Sequence, residues 1–562
     1  MKRALGFSIF YFLLMVLAVC PELKAQAYQY LDVAPGYETL NLAVANDVSA
    51  PANRVYRLQR GGVYLLNGIV RNVNKQVLRI FAAEGTGKLP QIMTTADLSG
   101  VNYRAFELTG DGHFKNIYIS GRSNLGIYTD DSKDMIRLQE IGIKMVVDGC
   151  FLEHEWKDFV RMNAKDQKIL VTNSILRNTG DLADASDNQF IDTRSLDQDT
   201  VFVQNSTLYT ATGRGFRTGG TGGTFFKTFI MDHVTVYQVG NGDGARGRVD
   251  EDETPLFDVR KVQNLSVTNC LFIDVVFHGD EKNTYTLNDT LDYPIFGFVP
   301  LNIPGKTDKD RTIVLRNNAY GVSTDLAAYY ASVDSLKGPV LLNKYSINTF
   351  FNAYPQTWTQ KNNFKETVKF TDAPTAKNMI AYTTYRRKNG FTEENVPEFW
   401  ADRNGIGADP STWGPVDKEY DFSYPSTALA YSAGDKGFPL GDLNWFPALK
   451  TLWQTGGTAG VEETGSSILA DCILEQNYPN PFNPSTNISY SIPKPANVSL
   501  TVFDIGGKKV ATLVQNRFQN AGRYKATWDG KDSDGKNAVS GIYVYQLKTE
   551  KLVISQKMLL TK

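Results

Sequence analysis

Short runs of alternating β-branched, aromatic and aliphatic residues, each closed by Asn, Asp or Gly, recur through the first two thirds of the chain. Aligned on the closing residue they read "KNIYISG" at Asn116, "VVDGCFL" at Asp148, "VTNSILRN" at Asn173, "VQNSTLYT" at Asn205, "MDHVTVYQ" at Asp232 and "VTNCLFID" at Asn269. "LRNNAYGV" at Asn317 is a more distant copy, and the spacings are 32, 25, 32, 27, 37 and 48 residues. Each copy holds two strand-like runs with no amphipathic helix between them. A period near 30 residues, built from strands and polar turns, predicts a solenoid, because one coil cannot bury its inward side chains and a stack of coils can. Propeller blades need similar lengths, so the irregular spacing favours a right-handed parallel β-helix with insertions in its turns. The recurrent Asx then serves the turn, where its side chain bonds nearby backbone and tolerates left-handed conformations.

The pattern sets the domain boundaries. "VYRLQRGGVYLLNGIV" (55–70) and "VLRIFAAEG" (77–85) predict the first coils, and regular coils extend over about 55–320 of a domain spanning 28–453. Residues 322–440 lose the period and predict a C-terminal extension and cap, with "DLAAYYASVDSLKG" helical. The Gly-, Pro- and aromatic-rich stretch 422–447 predicts an extended tail packed along the helix. A small polar linker follows over 454–473. From 474 to 562 the alternating runs "NISYSI", "VSLTVFDI" and "GIYVYQL", punctuated by "DIGG", "WDGKDSDGK" and "VSG", predict a small Ig-like β-sandwich. Asp534-Gly535 is a hairpin signal there, and the spacing lacks the closing Glu of an EF-hand. The fold class is all-β.

Residues 1–27 have the form of a signal peptide: basic "MKR", apolar "ALGFSIFYFLLMVLAVC" and the small-residue site "AQA". A retained anchor lacks a following stop-transfer pattern, and lipidation at Cys20 is disfavoured by Val19 before it. No later run approaches the roughly 20 apolar residues of a membrane span. Cys150 and Cys270 stand about four coils apart, on the order of 19 Å at the ~4.8 Å strand spacing, too far for a disulfide, so both predict small buried fillers. The net charge of -1 gives no global attraction to nucleic acid or anionic membrane, and a monomer is expected.

The motifs "NYPNPFNPST", "VFDIGGKKV", "WDGKDSDGKNAVSGIYVYQL" and "SQKMLLTK" fall in order over 474–562 and resemble the C-terminal sorting domain of type IX secretion substrates of Bacteroidota. That resemblance implies passage of the outer membrane by the type IX machinery, then release or cell-surface attachment. It implies nothing about the activity of the cargo.

Candidate chemistry centres on "EHEWKDFVRMNAK". Phe159, Phe190, Phe216 and Phe257 each begin a short strand 12 to 16 residues before a repeat Asx, and Arg161, Arg194, Arg217 and Arg260 follow close behind. With Phe inward, alternation places Arg217 and Arg260 outward, whereas Arg161 and Arg194 require a bulge or bend. His154, Lys157 and Arg214 lie nearby. The competing reading is a solvated, ion-paired face, since Asp158, Asp192 and Asp258 sit beside the arginines. In the acidic stretch 241–254, Asp243, Asp250 and Asp252 could gather calcium, the one cofactor considered; a solvated acidic loop is the alternative. Four scattered histidines argue against zinc, and the Gly-rich stretch 213–224 lacks the Lys-Ser/Thr of a phosphate loop.

On its coil pattern, the region 50–320 resembles the pectate-lyase-like β-helix superfamily, nearest the chondroitinase-B and alginate-lyase-like branch. The resemblance implies β-elimination on uronate-containing polysaccharide, which needs a carboxylate neutraliser, a base for the C5 proton and an acid for the leaving oxygen. The branch's glutamate-rich calcium signature is missing, so no catalytic residue carries over. The residues themselves nominate Lys157, Arg161, His154 and Arg217 for catalysis and Arg194, Arg214, Arg260 and Asp192 for substrate binding. A secreted or surface polysaccharide-active protein, possible lyase or non-catalytic glycan binder, is the expectation. Glycoside hydrolysis is a third option and needs two facing carboxylates.

Overall fold

A computed structural model of the chain describes residues 27–95, 103–123, 134–180, 188–217 except 195, 225–240, 256–277 except 258 and 260, 294–333 except 302–304, 338–389, 397 and 420–459. Toward the C-terminus it describes 473–561 apart from 475–476, 478–479, 481, 493–495, 505–506, 520–521 and 550–552. The signal segment, Cys20 and Cys472 lie outside the described residues. Two compact units divide the chain, Met1–Val461 and Glu462–Lys562.

The first unit is a parallel β-helix. Each regular coil supplies two strands to one large sheet and one to a second sheet, as in Lys144–Asp148, Phe151–Glu155 and Asp158–Met162. Pairing is parallel and in register from coil to coil, so an inward position becomes a column. One such column runs Tyr56, Ile80, Phe114, Val147, Val171, Val203, Met231, Val267 and Leu315. All nine are buried in a single core. Successive aromatic rings in the second sheet also stack, Phe159 on Phe190 at 6.0 Å and Phe257 on Phe296 at 5.1 Å.

The corner between the two strands of the large sheet is one left-handed residue, occupied by Asn116, Gly149, Asn173, Asn205, His233, Asn269, Asn317 and Asn362. This corrects the alignment at two coils, where Asp148 and Asp232 stand one position before the left-handed residue. Gly149 takes φ 64° there, and a Cβ on it would collide with Asn116 Oδ1. The displaced aspartates instead cap the neighbouring asparagine: Asn173 Nδ2 donates to Asp148 at 2.7 Å and Asn269 Nδ2 to Asp232 at 2.8 Å. Farther along, Asn362 donates to Asn317 at 3.1 Å and Asn317 to Asn269 at 3.3 Å. Cys150 and Cys270 occupy the next position of this corner, both buried and free, and burial pushes the Cys150 thiol up to about 12.

The extension forms helices Thr324–Ala331 and Ala376–Asn389, which pack together through Leu326, Tyr330, Met379 and Tyr382 with Phe277. The tail then runs back along the asparagine corner. Asp435 pairs with Arg316 and accepts from Asn317 and Asn269, and Asp442 accepts from Thr207 Oγ1 at 2.8 Å. Asn444 Nδ2 reaches Asn205 O at 2.6 Å, and Lys450 Nζ reaches Asn173 Oδ1 at 2.8 Å. The chain is still bonded to this strap at Ala459, whose N–H donates to Lys436 O, so the start of the expected linker belongs to the first unit.

The second unit pairs a three-stranded with a four-stranded antiparallel sheet around Ile488, Tyr490, Val498, Leu500, Trp528 and Tyr545. The hairpin signal is a turn in which Gly535, at φ 77°, donates to Asp532 O, and Lys531 faces Asn537 across it.

Two outcomes are expected. Gly149→Ala should lower stability by at least ~1–2 kcal/mol, the cost of a left-handed Cβ, in denaturant unfolding. Burial raises Asp442 to about 6, above its unfolded value of about 3.9, so its contribution is full below pH ~4 and is lost as pH rises to ~6. Asp442→Asn should therefore gain up to about 3 kcal/mol on the parent between pH 4 and 7; an unchanged difference in unfolding free energy would refute this.

Candidate functional site

The second sheet carries the charge. Its strands stack in the order Val70–Arg71, Phe106–Leu108, Asp134–Leu138, Asp158–Met162, Gln189–Asp192 and Arg214–Arg217. In-register pairing aligns Arg71, Glu107, Arg137, Arg161, Asp192 and Arg217 as one column. At the ~4.8 Å strand spacing this column is about 24 Å long.

Arg161 joins the column because the strand bends. Ladder pairs pass from Asp158↔Gln189 to Val160↔Ile191, skipping Phe159 and Phe190. The consecutive residues Phe159 and Val160 both enter the core, which strict alternation forbids. Asp158 and Arg161 thereby share a side, and Arg161 Nη2 lies 2.6 Å from the Asp158 carboxylate. The bend that the sequence required for Arg161 is present.

The arginines are held by carboxylates. Asp134, fully buried, receives Arg104 at 2.8 Å, Arg137 at 2.5 Å and Arg161 at 3.3 Å. Asp192 lies 3.9 Å from Arg161 Nε and 3.5 Å from Arg194 Nη1. Burial alone would loosen the proton on Arg161, but Asp158, Asp134 and Asp192 outweigh it and push the group further up. A role as base is incompatible with that environment; Arg161 is a fixed cation. Burial, with Asp192 nearby, raises Asp158 well above the usual carboxylate range despite Arg161. Glu155 is raised likewise by burial and by Asp134. An upward shift of a carboxyl group is the direction that general-acid chemistry requires.

Lys157, half-buried, sits in the turn between Phe151–Glu155 and Asp158–Met162, and its carbonyl accepts from Gln189 N at 3.0 Å. Arg214 is buried on the rung after Gln189, Arg217 is half-buried, and Arg194 is exposed at φ 49°. His154 is placed elsewhere. It takes a left-handed corner at φ 57°, is buried, and lies 3.6 Å from Glu153. Glu153 belongs to a separate network in which Tyr118 OH and Arg177 Nε each donate at 2.5 Å and Arg177 reaches Tyr209 OH at 2.9 Å. The sheet thus brings together Arg161, Asp192, Arg194, Arg214 and Arg217, with Lys157 at its corner. Arg260, Asp258, Asp243, Asp250 and Asp252 lie outside the described residues. No group of three or more His, Cys, Asp or Glu among the described residues is arranged to hold a metal ion.

The sequence reading missed Arg71, Arg104, Glu107, Asp134 and Arg137. A signal existed: "DMIRL" at 134–138 and "DFVRM" at 158–162 share one Asp-x-x-Arg frame. It also missed Arg177, Tyr118 and Tyr209, which only coil stacking brings to Glu153.

The C-terminal unit matches the FlgD Ig-like domain over residues 482–552. No curated protein matches the chain. Among solved structures, the dimeric latent PorU of Porphyromonas gingivalis is similar at 21% identity over 18% of this chain, with a TM-score of 0.15. The similarity spans a tenth of that protein's length. No helix among the described residues is long and apolar enough to cross a membrane.

Arg161→Ala should cost about 3–5 kcal/mol, because it strands buried carboxylates. The loss should be larger at pH 8 than at pH 5, since the freed carboxylates are neutralised by protons only at the lower pH; equal losses in paired urea titrations would refute the ion-pair assignment.

Proposed function

We propose that this is an exported protein that handles an anionic, uronate-containing polysaccharide along the second sheet, with eliminative cleavage as its most specific form. The supporting observation is the column from Arg71 to Arg217, whose four arginines outnumber its two carboxylates. A charge array repeating at strand spacing suits an extended polyanion better than a compact ligand.

In the lyase form, Arg217 and Arg194 neutralise the uronate carboxylate and so acidify the C5 proton. Lys157 takes that proton, and a protonated Asp158 or Glu155 delivers one to the leaving oxygen. Calcium, if Asp243, Asp250 and Asp252 gather it, would add to carboxylate neutralisation. The type IX sorting motifs of 474–562 support outer-membrane export, and the signal segment supports entry to that route. A second reading, a glycan-binding surface protein without turnover, is favoured by one observation: Arg161 is engaged by three carboxylates of its own chain.

Incubation with pectin, alginate and glycosaminoglycans, with and without calcium, separates these readings. Growth of unsaturated-uronate absorbance on one polymer establishes the lyase, and Lys157→Ala should then abolish turnover while affinity-gel retention persists. Retention without absorbance, weakened stepwise by Arg194→Ala and Arg217→Ala and by added salt, establishes the binder. Absence of both responses rejects the uronate reading.

A further inference from the structure

Asp158 and Gln189 are register partners on adjacent rungs at the start of their strands, on the side of the charged column. Both are enclosed, at 1% and 0% exposure. Arg161 engages Asp158 through Oδ2, with Nε at 3.1 Å and Nη2 at 2.6 Å. Asp158 Oδ1 has no partner, and neither does either end of the Gln189 carboxamide. Buried polar side chains are satisfied in the large majority of cases, and each exception calls for a reason. Here three open atoms belong to register partners on neighbouring rungs, and the Lys157 carbonyl accepts from the Gln189 backbone N–H.

We infer that Asp158 and Gln189 form a subsite that reads the hydroxyl groups of one sugar unit of the polysaccharide, a deepening that rests on the reading proposed above. The donor set selects the ligand. A carboxamide presents one donor and one acceptor end, and a carboxyl oxygen lies one rung away, about 4.8 Å. Two sugar hydroxyls, each able to donate and accept, complete all three atoms whatever the charge on Asp158. A metal ion would leave the amide N–H₂ unmet and would face the Arg161 guanidinium. A lone carboxylate would satisfy Nε2 and oppose Oε1. Arg217 and Arg194 then take the carboxylate of the same or the next unit, so the subsite sets which sugar sits against Lys157. Gln189 is a positioning residue in this scheme.

The test uses the full chain, with oligogalacturonate and oligoalginate as probes in titration calorimetry and thermal unfolding in parallel. Gln189→Leu removes both amide groups at near-constant size. It should weaken the oligosaccharide that the parent binds by about tenfold or more, one or two hydrogen bonds' worth, with Tm unchanged or raised. Gln189→Glu, which keeps shape and removes the donor, should also weaken it and covers the case of a leucine variant that fails to fold. Parent-like affinity in both folded variants, with a raised Tm for leucine, overturns the subsite while leaving the polysaccharide reading intact. A parent chain that binds neither probe nor any polymer of the wider panel overturns both.

Discussion

Parallel stacking in register at the strand spacing is the constraint from which the rest follows. Every side chain in a regular coil meets the same position of the coils above and below, so a residue is accommodated only if its column accommodates it. Apolar residues satisfy this easily, and the inward columns are Val, Ile, Leu, Phe and Met with little further discrimination. Polar residues do not. Asparagine works at the corner because its amide has both a donor and an acceptor and can bond the amide on the next coil. Charges are the hardest case, since Arg137 lies directly beside Arg161. Asp134 resolves it by receiving Arg104, Arg137 and Arg161 together.

That solution has a functional side. Carboxylates enclosed beside arginines are held in fixed positions, and burial raises two of them, Asp158 and Glu155, above the usual carboxylate range. The same stacking that makes a rigid wall therefore produces groups at one corner with altered acidity, flanked by cations in fixed positions. A polymer laid along the axis would meet repeated charges at repeated intervals, which is a geometry that loops on a compact domain rarely provide.

Much of this architecture was legible in the residues. The asparagines announced the corner because Asn is one of the few side chains that stabilises a left-handed turn, and the two buried cysteines followed from counting coils. The errors were local. Asp148 and Asp232 look like repeat members, but Gly149 takes the turn at no steric cost and His233 is an uncommon occupant that composition does not predict. The arginines were visible as a series, but their partners were not, because Asp134 and Arg161 come together only across a coil boundary. The bend that brings Arg161 outward was foreseen as a condition. It depends on Phe159 and Val160 both being drawn inward, which is a packing outcome rather than a pattern.

The strap has a consequence for how such a molecule can change length. Asp435, Asp442, Asn444 and Lys450 touch the coils of Asn317, Thr207, Asn205 and Asn173 in reverse chain order. The segment is a gauge of fixed length laid against the stack. Duplication of a coil before Asn173 leaves every one of these contacts in place. Duplication between Asn173 and Asn317 opens a gap that the gauge can bridge only by gaining residues of its own. Lineages of this protein should therefore vary in length at the N-terminal coils and hold the strapped coils constant in number.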